Sequence, residues 1–402
     1  FHYSVSENAA RQPHAPAIED ASVNPAVRLT YGMLDEESSR FAGYLKQLGY
    51  PKESVVAVVL PNCADAMVAI LAVSKAEYCF LFLDPSTPGD RLRYMLEDSG
   101  AKAVISKMAV LEECGIRTEP GSADIIDLED EIVGLKVDVS APEKGLNITR
   151  SQLAYMIYTS GTTGRPKAVA LTHENASNLR HAQINALKLN ANDRVIQFAS
   201  TSFDASIWEI LAAFGAGACL VLVKQKVRDD AGDELPKTIM EKSISFATLP
   251  TTLVSAMDRS ALKPLRKLVV AGEACTSDLI GKIDGVVDFQ NAYGPTEVAV
   301  CSSISPPLLP NDPNLTLGTR VSIGTALDGL QLYILDRQLR ILPKGVVGEL
   351  YVSGPSVARG YLGQAGLTAE RFIACPYRPG ERMYRTGDRV VENQSGNIFY
   401  VE

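Results

Sequence analysis

The stretch Tyr158-Thr-Ser-Gly-Thr-Thr-Gly-Arg-Pro-Lys167 constrains this chain more than any other. It carries four aliphatic hydroxyls, two glycines and two cations, and after Tyr158 no apolar side chain larger than proline. Apolar runs flank it, Leu153-Ala-Tyr-Met-Ile157 before and Ala168-Val-Ala-Leu171 after, and each reads as a buried strand. The stretch is therefore predicted to be a polar loop joining two strands. Glycines let the backbone approach a polyanion and offer it N–H groups. The hydroxyls and Lys167 add donors for phosphate oxygens. A nucleotide P-loop is excluded, because that motif needs Gly-x-x-x-x-Gly-Lys-Ser/Thr opening into a helix. Here Gly161 and Gly164 are three apart, Pro166 precedes the lysine and a strand follows. No helix dipole then faces the phosphate. On composition alone, such a Ser/Thr/Gly/Pro cluster is an ordinary surface loop.

A chain of 402 residues is long for one core, so two or three subdomains are expected. A hydrophobic content of 46% fits a soluble globular protein. No apolar run reaches the roughly 20 residues of a membrane span, and Phe1-His-Tyr-Ser-Val-Ser-Glu-Asn8 lacks the order of a signal peptide. The net charge of −8 argues against a general nucleic-acid binder. The seven cysteines are scattered and form no C-x-x-C pair, which suits reduced core cysteines in a cytoplasmic protein. Four histidines without ligand spacing argue against a zinc site.

Between residue 15 and about 300, short apolar runs alternate with amphipathic segments. Strands are predicted at 54–60, 78–83, 103–105, 195–198, 219–223, 244–249 and 268–270. Helices are predicted at 62–75, 91–98, 205–213 and 236–242. That alternation implies an α/β protein with two helix-covered, mostly parallel sheets, one on each side of the polar loop. From about 308 prolines and glycines multiply, helical periodicity fades, and strands are predicted at 332–335, 349–352 and 397–401. The expected division is 1–307 as paired α/β subdomains and 308–402 as a β-rich subdomain. The segment 115–149 reads as loop-rich.

Six motifs run in a fixed order: Leu29-Thr-Tyr-Gly-Met-Leu34; the loop 158–167; Phe203-Asp-Ala-Ser-Ile-Trp-Glu209; Asn291-Ala-Tyr-Gly-Pro-Thr-Glu297; Gly348-Glu-Leu-Tyr-Val-Ser-Gly354 with Ala358-Arg-Gly-Tyr361; and Tyr384-Arg-Thr-Gly-Asp388. Together they resemble the adenylate-forming superfamily, and most closely the amino-acid adenylation domains of nonribosomal peptide synthetases. One departure is Ala76-Glu-Tyr-Cys-Phe-Leu-Phe-Leu-Asp-Pro85, where the family usually has an Ala-Gly-Ala-Ala-Tyr-Val-Pro-like run; that segment is expected to lie away from the site. The resemblance implies the large lobe of such an enzyme, two sheets closed by a small distorted β-barrel. It also implies attack of a carboxylate on the α-phosphate of ATP, giving an acyl-adenylate and pyrophosphate. Such chemistry needs positioning and charge neutralisation rather than a protein nucleophile.

By the same resemblance Thr159, Ser160, Gly161, Thr162, Thr163, Gly164 and Lys167 cradle the leaving phosphates. Lys167, Thr163 and Glu297 are the expected catalytic residues, with Glu297 holding Mg²⁺. Tyr293 stacks on adenine, Thr296 contacts phosphate, Asp388 takes the ribose hydroxyls, and Ala292 and Gly294 complete the nucleotide contacts. Read singly, Tyr293-Gly-Pro-Thr296 is an ordinary turn and Thr386-Gly-Asp388 a hairpin turn.

Asp204 and Trp208 are four apart and share a helix face. The family pairs that aspartate with the substrate's α-ammonium. Its position also suits a helix cap, although Ser206 with Glu209 forms a competing capping box. Val269 and Ala271 alternate along a strand and face one way. By the resemblance, Ala205, Thr248, Ala292, Val300 and Cys301 join them in the substrate pocket, which is then apolar with Asp204 as its one charge. The lining resembles phenylalanine-activating domains, and L-phenylalanine is the expected substrate, another bulky apolar residue the alternative. The chain ends where the family continues into a small lobe with a further lysine. A large lobe alone is expected to form adenylate slowly, as a monomer whose partners are neighbouring synthetase domains and a separate carrier domain bearing phosphopantetheine. Two other functions fit the motifs less well: a fatty or aryl acyl-CoA ligase, which needs no acid for an α-ammonium, and a non-catalytic binding module.

Overall fold

The apolar runs become strands of two sheets that share one core. The computed structural model describes residues 1–116, 123–130, 148–160, 165–310 and 312–401. At one edge of the larger sheet, β1 (Pro16–Asp20) and β2 (Val27–Thr30) pair antiparallel. β3 (Val55–Val59), β4 (Cys79–Leu83), β5 (Ala103–Ser106), β6 (Asp124–Asp127) and β7 (Leu153–Thr159) form the parallel part of the smaller sheet. β8 (Lys167–Thr172) runs antiparallel to β7, so the polar stretch does join two strands. β9 (Arg194–Gln197), β10 (Cys219–Leu222), β11 (Phe246–Leu249), β12 (Lys267–Val270) and β13 (Asp288–Tyr293) continue the larger sheet. The parallel order there is β13-β12-β11-β9-β10-β1.

Alternate residues of each strand enter different cores. Val56, Val58, Phe80 and Phe82 face the central core together with Val269, Leu220 and Leu222. Val55, Ala57, Leu81 and Leu83 face an outer layer on one side, and Leu268, Val270 and Val221 an outer layer on the other. A strand covered on both faces reads as a continuous apolar run, which is why these segments stood out in the sequence. The helices Ala64–Lys75 and Asp204–Ala216 lie in the central layer and are buried along nearly their whole length.

Beyond β13 the ladders turn antiparallel. β14 (Ser303–Ile304) bridges β13 to β16 (Arg320–Ala326), with β15 (Thr316–Leu317) on its flank. β17 (Gln331–Leu335), β18 (Gly348–Ser353), β21 (Arg382–Glu392) and β22 (Ile398–Tyr400) extend the ladder to β16, and β20 (Phe372–Ala374) pairs with β21. The β-rich end is thus an open ladder joined to the larger sheet; strand pairing among the described residues does not close it. β19 (Gly360–Tyr361) leaves this group and adds to β8 at the edge of the smaller sheet.

Several element ends differ from expectation for local reasons. The helix expected from 62 begins at Ala64, whose N–H donates to Asp20 Oδ2 at 2.8 Å, so an acid from β1 caps it. The helix expected over 236–242 runs Ala231–Glu241 with Pro236 inside. The proline is the sixth of eleven residues, so the helix forgoes the backbone bond that its missing N–H would have made. The Ser206–Glu209 capping box does not form. The helix already starts at Asp204, Ser206 donates to Phe203 O at 2.7 Å, and the Glu209 carboxylate accepts from Ala199 N. Thr30 of the first motif does cap its helix, Tyr31–Gln47, accepting from Met33 N at 3.2 Å. Of the segment 115–149, residues 123–130 contain β6; 117–122 and 131–147 lie outside the described residues.

Candidate active site

The candidate residues gather where β7, β11, β12 and β13 end. Thr159 closes β7 and Lys167 opens β8, paired in register across the mouth of the loop. The hydroxyl of Thr159 is buried without a partner among the described residues. Ser160 is exposed. Gly161, Thr162, Thr163 and Gly164 lie outside the described residues.

β13 leads through Tyr293 and Gly294 into the short turn Thr296–Val298. A side chain at Gly294 would lie 2.5 Å from Cys301 Cα and 2.6 Å from Ser302 N, so the return strand passes too closely for any residue but glycine. The turn folds back through Ala299 and Val300 with φ of 50° and 71°. For a β-branched residue that conformation costs on the order of 1–3 kcal/mol, held in place by the packing around it.

This turn delivers Glu297, 6% exposed, to Lys167: Nζ lies 3.0 Å from Oε1. A third group completes the cluster. The Tyr361 hydroxyl donates to Glu297 Oε1 at 2.7 Å and accepts from Lys167 Nζ at 2.9 Å. Tyr384 OH is 3.4 Å from Tyr361 OH. Burial, followed by the Glu297 charge, pushes both phenols well above the ordinary tyrosine range, so both remain proton donors. Neither tyrosine had been assigned a role from sequence, although each lies in a quoted motif; their partners are remote in the chain and visible only in the fold.

Tyr293 and Asp388 also meet, the phenol donating to Asp388 Oδ2. Burial raises the Asp388 pKa, against the Tyr293 hydrogen bond. The segment 386–388 is not a hairpin turn. It sits inside the continuous strand β21, where the register with β18 shifts and Gly387 takes φ of 87°. That bulge turns Asp388 toward Tyr293.

Asp204 is the first residue of its helix and is partly buried. Thr296 Oγ1 donates to its Oδ2 at 2.6 Å. Burial pushes its pKa up to about 6, opposed by the Thr296 hydrogen bond. One turn on, Trp208 is 2% exposed, and its Nε1 donates to Thr248 Oγ1 at 2.9 Å. That bond uses the one polar hydrogen of Trp208, while Thr248 keeps its own hydroxyl hydrogen. Val269, Ala292 and Cys301 are buried in the central core, with Ala271 and Val300 packed against it. Ala205 is partly exposed beside Asp204. The pocket set therefore presents mainly apolar surface, the Thr248 hydroxyl and one acid. The departing segment 76–85 also has a role near the site. Asp84 takes the Ser200 hydroxyl at 2.7 Å and its N–H donates to Ser202 Oγ at 2.8 Å, anchoring the loop that leads into Asp204.

Among the described residues no three His, Cys, Asp or Glu side chains gather to enclose an ion. The buried Glu297 carboxylate beside Lys167 instead fits a Mg²⁺ of the kind carried on phosphate, which keeps its waters and takes one or two carboxylates.

The family model described as AMP-binding enzyme matches residues 5–362. Bacitracin synthase 3 of Bacillus licheniformis is 39% identical over 362 residues, covering 90% of this chain and 6% of that protein. The N-terminal subdomain of Klebsiella oxytoca NpsA, solved in complex with 3-hydroxybenzoyl-AMSN, superposes with a TM-score of 0.87 at 25% identity. The match covers 100% of this chain and 98% of that one. NpsA-ThdA, an artificially fused adenylation–PCP di-domain nonribosomal peptide synthetase from the same organism, superposes with a TM-score of 0.89 at 25% identity, covering 100% and 78%. The chain thus spans a small part of its long relative and nearly all of a large-lobe structure. The ordered motifs, the two sheets and the match over residues 5–362 place this chain in the AMP-binding enzyme family.

Proposed function

We propose that this chain activates an amino acid, L-phenylalanine, with ATP and Mg²⁺ to aminoacyl-AMP and pyrophosphate, for thioester loading of a carrier domain in nonribosomal peptide synthesis. The substrate carboxylate oxygen bonds to the α-phosphorus while the bond to the pyrophosphate oxygen breaks. Magnesium, when bound, neutralises charge on the phosphates. Lys167 and the Thr159 hydroxyl face the leaving phosphates, Glu297 offers the metal a carboxylate, and Tyr293 and Asp388 take adenine and ribose. The observation that carries the reading is the Thr296–Asp204 hydrogen bond. It puts the acid for an α-ammonium beside the residue that precedes Glu297, so amino acid and nucleotide would bind in contact.

Phenylalanine is supported by the mainly apolar character of the pocket residues other than Asp204, with the Trp208 N–H already bonded to Thr248 Oγ1. The acceptor is phosphopantetheine on a carrier domain, a pairing supported by the fused adenylation–PCP relative. The division into 1–307 and 308–402, and a cytoplasmic location, belong to the same proposal; no helix among the described residues is long and apolar enough to cross a membrane. The second reading is an aryl-acid ligase, favoured by the neighbour solved with a 3-hydroxybenzoyl compound. Asp204 argues against it, because a buried acid without a cationic partner repels a second carboxylate.

The test is calorimetric titration with uncleavable sulfamoyl analogues of phenylalanyl-, leucyl- and 3-hydroxybenzoyl-adenylate. Preference for the phenylalanyl analogue is expected. Equal binding of the two aminoacyl analogues would remove the specificity, preference for the aryl analogue would move the chain to the second reading, and binding of none would reject adenylation.

A further inference from the structure

We infer that Tyr361 is a positioning residue for Glu297, holding its carboxylate in place when Lys167 leaves it for phosphate. The inference rests on the proposed metal role of Glu297 and deepens it. Glu297 Oε1 receives two donors, Lys167 Nζ at 3.0 Å and Tyr361 OH at 2.7 Å. A phosphate in the β7–β8 loop competes for the lysine. With the lysine as its only partner, the carboxylate would lose its donor as the nucleotide arrived, and a 6%-exposed carboxylate without a donor is costly. The tyrosine removes that conflict, because its bond to Oε1 does not depend on Lys167.

The surroundings fix the phenol in that geometry. Tyr361 pairs with Val169 in the edge ladder, is 5% exposed, and packs edge-on against Phe372 with ring centroids 5.3 Å apart. Its backbone N–H donates to Thr368 Oγ1 at 3.0 Å. Lys167 Nζ sits 4.0 Å from the ring centroid, so the same ring gives the cation a resting place before phosphate binds. Gly360, with φ of 144°, brings this strand against Thr368, whose methyl would lie 2.4 Å from an added side chain. The tyrosine is thus held by backbone pairing, ring packing and a glycine-dependent approach, all outside the group it orients.

The measurement is the gain in ATP affinity on adding Mg²⁺, read by calorimetry without turnover, for the whole chain and for Tyr361→Phe. That variant keeps the ring and loses the hydroxyl. Removing an outer partner of a metal-binding carboxylate typically costs 10–100-fold, so about a tenfold loss of the Mg²⁺-dependent gain is expected. ATP affinity without Mg²⁺ should stay within about threefold, and an unchanged melting midpoint checks the fold. A gain within twofold of wild type in Tyr361→Phe overturns the inference. Should Tyr361→Phe melt below the working temperature, both proteins are titrated below its midpoint, and the same twofold criterion applies. If the wild-type chain shows no Mg²⁺-dependent gain at all, the proposed function itself fails, and this inference with it.

Discussion

At the residue scale, Asp204 carries a cost. Its folded pKa is pushed up to about 6 from an ordinary value of 3.8, mainly by burial. The ionised form is therefore penalised in the folded chain relative to the unfolded one. The penalty is complete above about pH 6 and vanishes below about pH 4, where both states are protonated. Asp204→Asn should then raise stability by roughly 2 kcal/mol at pH 8, allowing for partial exposure. That advantage should shrink as pH falls through 6 toward 4. Chemical unfolding of both proteins across this range checks it; a pH-independent difference would mean that the acid pays no such penalty. The same substitution should weaken an aminoacyl-adenylate analogue by at least about tenfold, the loss of a charge-assisted pair. A residue kept at the expense of stability is what a ligand-binding role predicts, and a simple helix cap would show the opposite sign. Thr248 offers the matching case. Thr248→Val leaves the Trp208 N–H buried without its acceptor, which should cost about 1–3 kcal/mol. A change under half a kcal/mol would show that the indole finds another partner.

Elements differ in how plainly the sequence announces them. Strands buried on both faces were legible as apolar runs, and the loop between β7 and β8 was legible from its flanks. The helix His173–Leu187 was not. Its buried positions include His173, Asn175 and Gln183 beside small alanines, so it shows no apolar stripe for periodicity to detect. Its cap, with Thr172 and Asn175 bonding reciprocally, is legible once sought. Glu209 misled for a related reason. Its spacing from Ser206 suited a capping box, yet its carboxylate serves a loop ten residues back. Burial pushes its pKa up to about 8, so it is largely protonated at neutral pH while accepting from Ala199 N. Glu209→Ala should release the stretch 198–203 that leads into Asp204, lowering stability by about 1–3 kcal/mol. Protease sensitivity or hydrogen exchange confined to that stretch would check it. Loss spread evenly over the chain would instead mark Glu209 as a general core residue.

At the scale of the whole molecule, the site depends on a segment that crosses between the sheets. Arg359 N donates to Ala170 O and Leu362 N to Ala168 O, which joins the segment to β8. Ala358 N donates to Glu297 O at 2.9 Å, which ties it to the turn carrying the Glu297 carboxylate. Arg359 reaches Glu53, just before β3, with two nitrogens at 2.7 and 2.8 Å, which ties the segment to the interior of the smaller sheet. Asn175 holds the start of the same segment: its amide donates to Pro355 O at 2.7 Å and Val357 O at 3.1 Å, while its carbonyl accepts from Thr172 N. Asn178, one turn later, donates to Asp328 O and Ser356 Oγ nearer the surface. Asn175→Ala strands buried carbonyls and should cost about 3 kcal/mol, whereas Asn178→Ala should cost about 1 kcal/mol, because water replaces its bonds. Neither asparagine side chain hydrogen-bonds to a candidate site residue. If the segment sets the distance between Glu297 and Lys167, Asn175→Ala must also weaken Mg²⁺-dependent ATP binding at a temperature where the variant is fully folded, and Asn178→Ala must not. Equal stability losses, or an Asn175 variant that binds as wild type, would show that the two sheets hold the site without this crossing.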